Sequence, residues 1–179
     1  MNVFILSTGR CGSMTFSKAC QHMSNYSAAH ESRLPLLGPA RLAYPDNHIE
    51  SDNRLCWILG RLDEAYGDHA FYVHLQRDRQ AVAQSYARRS HFGIMQAYRE
   101  GILLGGQAGQ SDLELALDYI ATIESNIRLF LKDKTQVMSF ELEHAQRDFR
   151  DFWQRIRAQG NLDKALTEWQ IQHNASHTD

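Results

Sequence analysis

The residues most suited to chemistry gather first between Ser7 and Thr15, in the run Ser-Thr-Gly-Arg-Cys-Gly-Ser-Met-Thr. Gly9 and Gly12 let a backbone approach an anion closely. The N–H groups of a first helical turn have no partner within the helix, so they can bind phosphate oxygens. Ser13 and Thr15 add hydroxyl donors, and Arg10 adds a fixed positive charge. Thr8, Gly9, Arg10, Cys11, Gly12, Ser13, Met14 and Thr15 therefore form a candidate anion cradle. It is not a Walker A loop, because Gly12 is followed by Ser13 and Met14 rather than by lysine and a hydroxyl residue. Nor is it a cysteine-phosphatase loop, since Ser17 stands where that loop needs an arginine. With no ligand, the same run reads as a plain strand-to-helix turn.

The elements that must hold this cradle are legible on both sides of it. The apolar run Val3 to Leu6 reads as a buried strand, and a helix begins at about Met14. Residues 26–29 read as a short strand ending at His30 and Glu31. Residues 32–46 hold all three prolines and form a connection. Residues 48–50 suggest a brief strand, and Ser51-Asp52 supplies N-cap chemistry for one helix over residues 53–66. Residues 70–75 form a second confident strand, followed by Gln76-Arg77 and a helix to about residue 89. Residues 91–109 carry five glycines and predict a mobile, substrate-side segment with a short helix inside it. A long helix spans residues 112–132, with Leu113, Leu117, Ile120, Ile123, Ile127 and Leu131 on one side. A third confident strand follows at 137–140, then helices at 141–158 and 162–173. Strands alternating with helices predict an α/β fold with a mostly parallel sheet, whose ligands bind at the carboxyl ends of the strands. The Ser7–Ser13 loop and Arg77 both fall at that edge.

Arg77 and Ser85 are eight residues apart, one just past a strand and the other two turns into the next helix. Alone, each reads as a surface residue. Together they can grip one anion, for which the planar guanidinium fork is suited. With the first loop they resemble the sulfotransferase family, whose donor is 3′-phosphoadenosine 5′-phosphosulfate (PAPS). Gly9-Arg10-Cys11-Gly12-Ser13-Met14-Thr15 is similar to the family's 5′-phosphosulfate loop. Arg77 to Ser85 is similar to its 3′-phosphate motif, an arginine followed eight positions later by a serine. Phe140-Glu141-Leu142 is similar to a third block. The three come in the family's order. Cys11, Met14 and Arg79 depart from it, standing where serine, a hydroxyl residue and proline are usual.

The resemblance implies a three-layer, P-loop-like α/β domain with a central sheet flanked by helices. It also implies PAPS as co-substrate, with PAP (3′,5′-adenosine bisphosphate) as product, and no metal. Arg10 takes the basic position near the transferring group. Gly12, Ser13 and Thr15 face the 5′-phosphate, and Arg77 and Ser85 face the 3′-phosphate. Sulfuryl transfer also needs a base, and the family often carries a glutamate or histidine near the end of the second strand. Glu31 is the first candidate and His30 the second. Cys11 is expected to pack rather than to react. His91, Arg88 and Arg89 border the glycine-bearing segment; lining a solvated helix end is the expected role, and contact with the acceptor or a phosphate stays open as the alternative. The expected acceptor is a hydroxyl or amine of a small molecule or glycan. Two other readings stay open: a non-catalytic module that binds a 3′,5′-bisphosphate nucleotide, and a nucleotide kinase-like enzyme.

Composition narrows the partners. The 179 residues suffice for one domain, expected here over 1–179 with a polar tail at 174–179. A formal charge of −2 gives no electrostatic reason to expect nucleic acid or a membrane. No run approaches a transmembrane helix, and the short apolar start has no basic leader. Cys11, Cys20 and Cys56 are sparse, which fits a reducing compartment. A cytoplasmic location is the expectation. His173 and His177 have helical spacing in the tail but suggest no metal site, and the sequons at Asn25 and Asn174 read as chance. The chain is short for the family, so a reduced acceptor pocket or a homodimer is expected.

Overall fold

The computed structural model describes residues 1–171. Five parallel strands form one sheet in the order β2-β3-β1-β4-β5. They are β1 (Val3–Leu6), β2 (Ser27–His30), β3 (His48–Ser51), β4 (Phe71–Gln76) and β5 (Val137–Glu141). β1 is central and wholly buried, which suits its unbroken apolar run. The chain leaves β1 toward the β2 edge, returns through β3, then crosses to β4 and β5 on the other side. The carboxyl ends of β1, β3 and β4 therefore bound the crevice where such sheets bind ligands.

Helices cover both faces of the sheet. The main ones are α1 (Ser13–Cys20), α2 (Leu59–Tyr66), α3 (Arg79–Ala87), α4 (Gly93–Ala97), α5 (Asp112–Leu131), α6 (Ala145–Arg155) and α7 (Leu162–Thr167). Side chains alternate along a strand, so neighbouring strand residues serve opposite layers. Tyr72 of β4 meets Phe130 of α5, and Phe4 of β1 meets Tyr66 of α2. Phe71 instead meets Phe152 of α6, and Phe140 of β5 meets Phe16 of α1. The result is the expected three-layer α/β fold with its core on both sides of the sheet. No helix among the described residues is long and apolar enough to cross a membrane.

Several elements differ from the sequence expectation. The helix expected over 53–66 is broken at Ile58, whose φ of −130° leaves the helical region. Asp52 caps a 3-10 turn at Asn53–Trp57, and the Cys56 thiol bonds to the Ser7 carbonyl, holding that turn under the first loop. The helix expected from Glu141 begins at Ala145 and ends at Arg155, because Glu141 still pairs with Gln76 in the sheet. The buried side of α5 is Leu115, Ala116, Tyr119, Ile120, Ile123 and Ile127. Leu113 is exposed and Leu117 only half-buried. Tyr119 rather than Leu117 faces inward, because it reaches the Thr8 carbonyl. The last helix stops at Thr167 and passes into a 3-10 turn, Glu168–Gln170. His173, His177, the Asn174 sequon and the tail lie outside the described residues.

Candidate functional site

A cleft of about 610 Å³ opens at the carboxyl edge of the sheet. The loop after β1 forms its floor. Gly9 and Gly12 have φ of 86° and 88°, in the left-handed region open to glycine. Space demands glycine as well. A Cβ on Gly9 would lie 2.1 Å from the Tyr86 hydroxyl, and one on Gly12 would lie 2.8 Å from Leu142 Cδ1. Gly12 is the N-cap of α1 and offers no side-chain cap, so the first-turn N–H groups of α1 stay available to an anion. The loop is pinned from beneath. The hydroxyls of Tyr86 and Tyr119, both buried, donate to the Thr8 carbonyl at 2.6 and 3.1 Å.

Among the candidate residues, Gly9, Arg10, Gly12, Ser13, Met14, Thr15, His30, Glu31, Arg77 and Ser85 all line this cleft. Arg10 Nε donates to the buried Ser85 Oγ at 3.0 Å, and Arg77 donates to the Arg10 carbonyl at 3.1 Å. The two motifs, read as separate grips, are thus bonded to one another. Thr8 and Cys11 are not brought into the cleft. They face a small space beneath the loop of about 40 Å³, beside His74. Burial pushes the Cys11 thiol up to about 11, so it is a packed thiol and not a nucleophile at neutral pH.

The electrostatics favour an anion. Arg10, Arg54, Arg77, Arg88 and Arg89 line the cleft against one carboxylate, Glu31. Burial, then the neighbouring charges of Arg89, Arg77 and Arg88, press the Arg10 guanidinium below its ordinary pKa. A cluster of like charges in a partly desolvated cleft binds an anion strongly. Arg88 and Arg89, expected at a solvated helix end, belong to this lining.

On the opposite wall, Ser13 Oγ lies 3.0 Å from His30 Nε2, and Arg54 donates to Glu31 Oε1 at 2.7 Å. Glu31 has φ of 52°, a left-handed conformation that costs a non-glycine residue roughly 1–2 kcal/mol. Arg54 was not anticipated. It lies three residues past β3, inside the 3-10 turn that Asp52 caps, and that capping reading obscures it. Phe92, Ile94 and Met95 from the glycine-bearing segment, with Leu142, Trp169 and Ile171, add apolar lining to the cleft. The Trp169 indole N–H is buried with no hydrogen-bond partner among the described residues.

No family model matches the chain, and no curated protein sequence matches it. Among solved structures it is similar to the sulfotransferase domain from the curacin biosynthetic pathway. The TM-score is 0.68 at 16% sequence identity, covering 96% of this chain and 78% of that one. At that identity the likeness shows the fold, and the chain has the P-loop-like sulfotransferase fold.

Proposed function

We propose that the cleft binds PAPS and passes its sulfuryl group to a hydroxyl or amine of a small molecule or glycan. The observation that carries this reading is the bonded cluster of Arg10, Arg77 and Ser85 on a glycine loop at the end of the central strand. It gives one nucleotide two anion grips, which an ordinary mononucleotide would not need. The site's dimensions and chemistry suit the donor. The cleft is large enough for a nucleotide, the glycines leave no Cβ in the way, and the arginines exceed the single carboxylate.

Gly12, Ser13 and Thr15, with the first-turn N–H groups of α1, hold the 5′-phosphate. Arg77 and Ser85 hold the 3′-phosphate. Arg10 stands between the two and stabilises charge on the group in transit. Trp169 and Leu142 supply an apolar wall for a flat base. The donor supplies the activated S–O bond. As an acceptor oxygen or nitrogen bonds to sulfur, that bond breaks and the bisphosphate departs. The acceptor's proton goes to Glu31, which Arg54 orients, with His30 as the second candidate. Phe92, Ile94 and Met95 border the acceptor side.

Calorimetric binding of PAP, with ATP and AMP as controls, tests the reading. Binding that requires the 3′-phosphate, followed by release of PAP from PAPS with 4-nitrophenol or glucosamine as acceptor, supports it. No preference over ATP sinks it.

A further inference from the structure

The residues proposed to accept the proton sit on a strained turn, and a buried carboxylate on the next strand holds that turn. Glu50 of β3 is wholly buried. Its Oε1 accepts the Ser32 N–H at 2.8 Å, and its Oε2 accepts the Ser32 hydroxyl at 2.6 Å. His48 Nε2 lies 3.0 Å from the same Oε2, and His48 Nδ1 lies 2.8 Å from Ser27 Oγ. Two residues on, Asp52 is also wholly buried and accepts the Arg54 N–H at 2.8 Å while pairing with Arg41. Arg54 in turn holds Glu31. The two carboxylates therefore anchor opposite ends of the Glu31–Arg54 pair, one through Ser32 and one through the Arg54 backbone.

Burying a carboxylate is costly, and a well-packed apolar residue often serves stability as well or better. A purely structural account therefore leaves Glu50 unexplained. Its hydrogen bonds give an account. Both of its oxygens reach the residue that follows Glu31, whose left-handed φ needs an external restraint. Burial pushes the Glu50 carboxyl up, but the bonds from His48 and Ser32 outweigh it, so the group is held below its ordinary value and stays anionic.

We infer that Glu50 is a positioning residue: through Ser32 it fixes the 30–32 turn and so presents His30 and Glu31 to the cleft. This inference rests on the transferase reading above and adds a residue that never touches substrate.

The test uses the intact chain with three variants: Glu50→Gln, Ser32→Ala and Ser32→Thr. Three quantities are measured: PAP affinity, PAP release from PAPS with 4-nitrophenol, and hydrogen exchange of the Ser32 amide. In Glu50→Gln, release falls about tenfold or more, Ser32 exchange rises, and PAP affinity stays within about twofold. Ser32→Ala lowers release at unchanged affinity, and Ser32→Thr, which keeps the hydroxyl, restores it. Unchanged exchange and release in Glu50→Gln overturns the inference, as does a parallel loss of affinity and release. If Glu50→Gln fails to fold, the Ser32 pair decides, and equal release by both variants overturns it. A wild-type chain that binds PAP but releases none from PAPS sinks the transferase reading instead. The exchange data then decide by themselves whether Glu50 holds the turn.

Discussion

On the β4 side of the cleft, Arg77 and Ser85 come from one strand–helix unit, eight residues apart, and both bond to Arg10 of the β1 loop. On the β2–β3 side, His30, Glu31 and Arg54 come from two separate segments and are joined by Ser13, Glu50 and Asp52. The first half reads as a linear motif and leaves Arg77 exposed. The second half is built by buried charges that reach across the sheet. This difference teaches where each half will fail. Local motifs lose binding when a contact is removed, whereas assembled groups lose alignment when a remote support is removed.

The largest expected effect separates the two halves. Glu31→Gln keeps an acceptor for Arg54 but removes the proposed base. PAP release should fall by about 10²–10⁴ with donor affinity unchanged. If affinity falls with it, the two halves are not independent and the comparison breaks. Next is Gly9→Ala, which places a Cβ against Tyr86 at a positive φ. Strain of ~1–2 kcal/mol and a lost buried hydrogen bond of ~1 kcal/mol predict about 2–3 kcal/mol of destabilisation in a urea titration. Arg77→Ala should weaken PAP binding by about 1.5–3 kcal/mol per charge-assisted bond lost. AMP should lose less, because it lacks the 3′-phosphate. Equal losses for both nucleotides would detach Arg77 from the 3′ position.

The smallest effect is a pH signature that tells the halves apart. His74 of β4 is pushed down to about 4, by burial first and the Arg128 charge second. A depressed pKa stabilises the fold fully above the unfolded value of 6.5, and this contribution is lost as pH falls toward 4. Glu50 is also depressed, so its contribution is lost only below its ordinary value of 4.5. The loss of stability between pH 6.5 and 4.5 therefore includes the His74 contribution. The wild type should lose about 1–3 kcal/mol there, and His74→Leu should lose much less. A variant with the same slope would assign that loss elsewhere.

The order of strands and helices was readable because each element carries its own period and punctuation. Val3 to Leu6 is unbroken and apolar, as a central parallel strand must be. Ser111 and Glu114 form a capping box, so the start of α5 falls where its own residues put it. The break at Ile58 was hidden, because Leu55, Ile58, Leu59 and Leu62 keep a helical spacing across it. The site follows the same rule. The loop, Arg77 and Ser85 are linear patterns with a stated physical use. Arg54, Tyr86 and Trp169 enter the cleft only because separate segments converge on it.

By itself, the sequence determined the parallel α/β fold, the glycine loop and the sheet edge at which the candidate residues gather. Hydrophobic period, glycine conformational freedom and residue spacing are properties of neighbouring residues. Only the tertiary structure decided that Arg10 bonds to Ser85, that Thr8 and Cys11 turn away from the cleft, and that Glu50 holds Ser32. Those contacts join residues far apart in the chain. Their partners are fixed by strand order and register, which no single stretch of sequence contains.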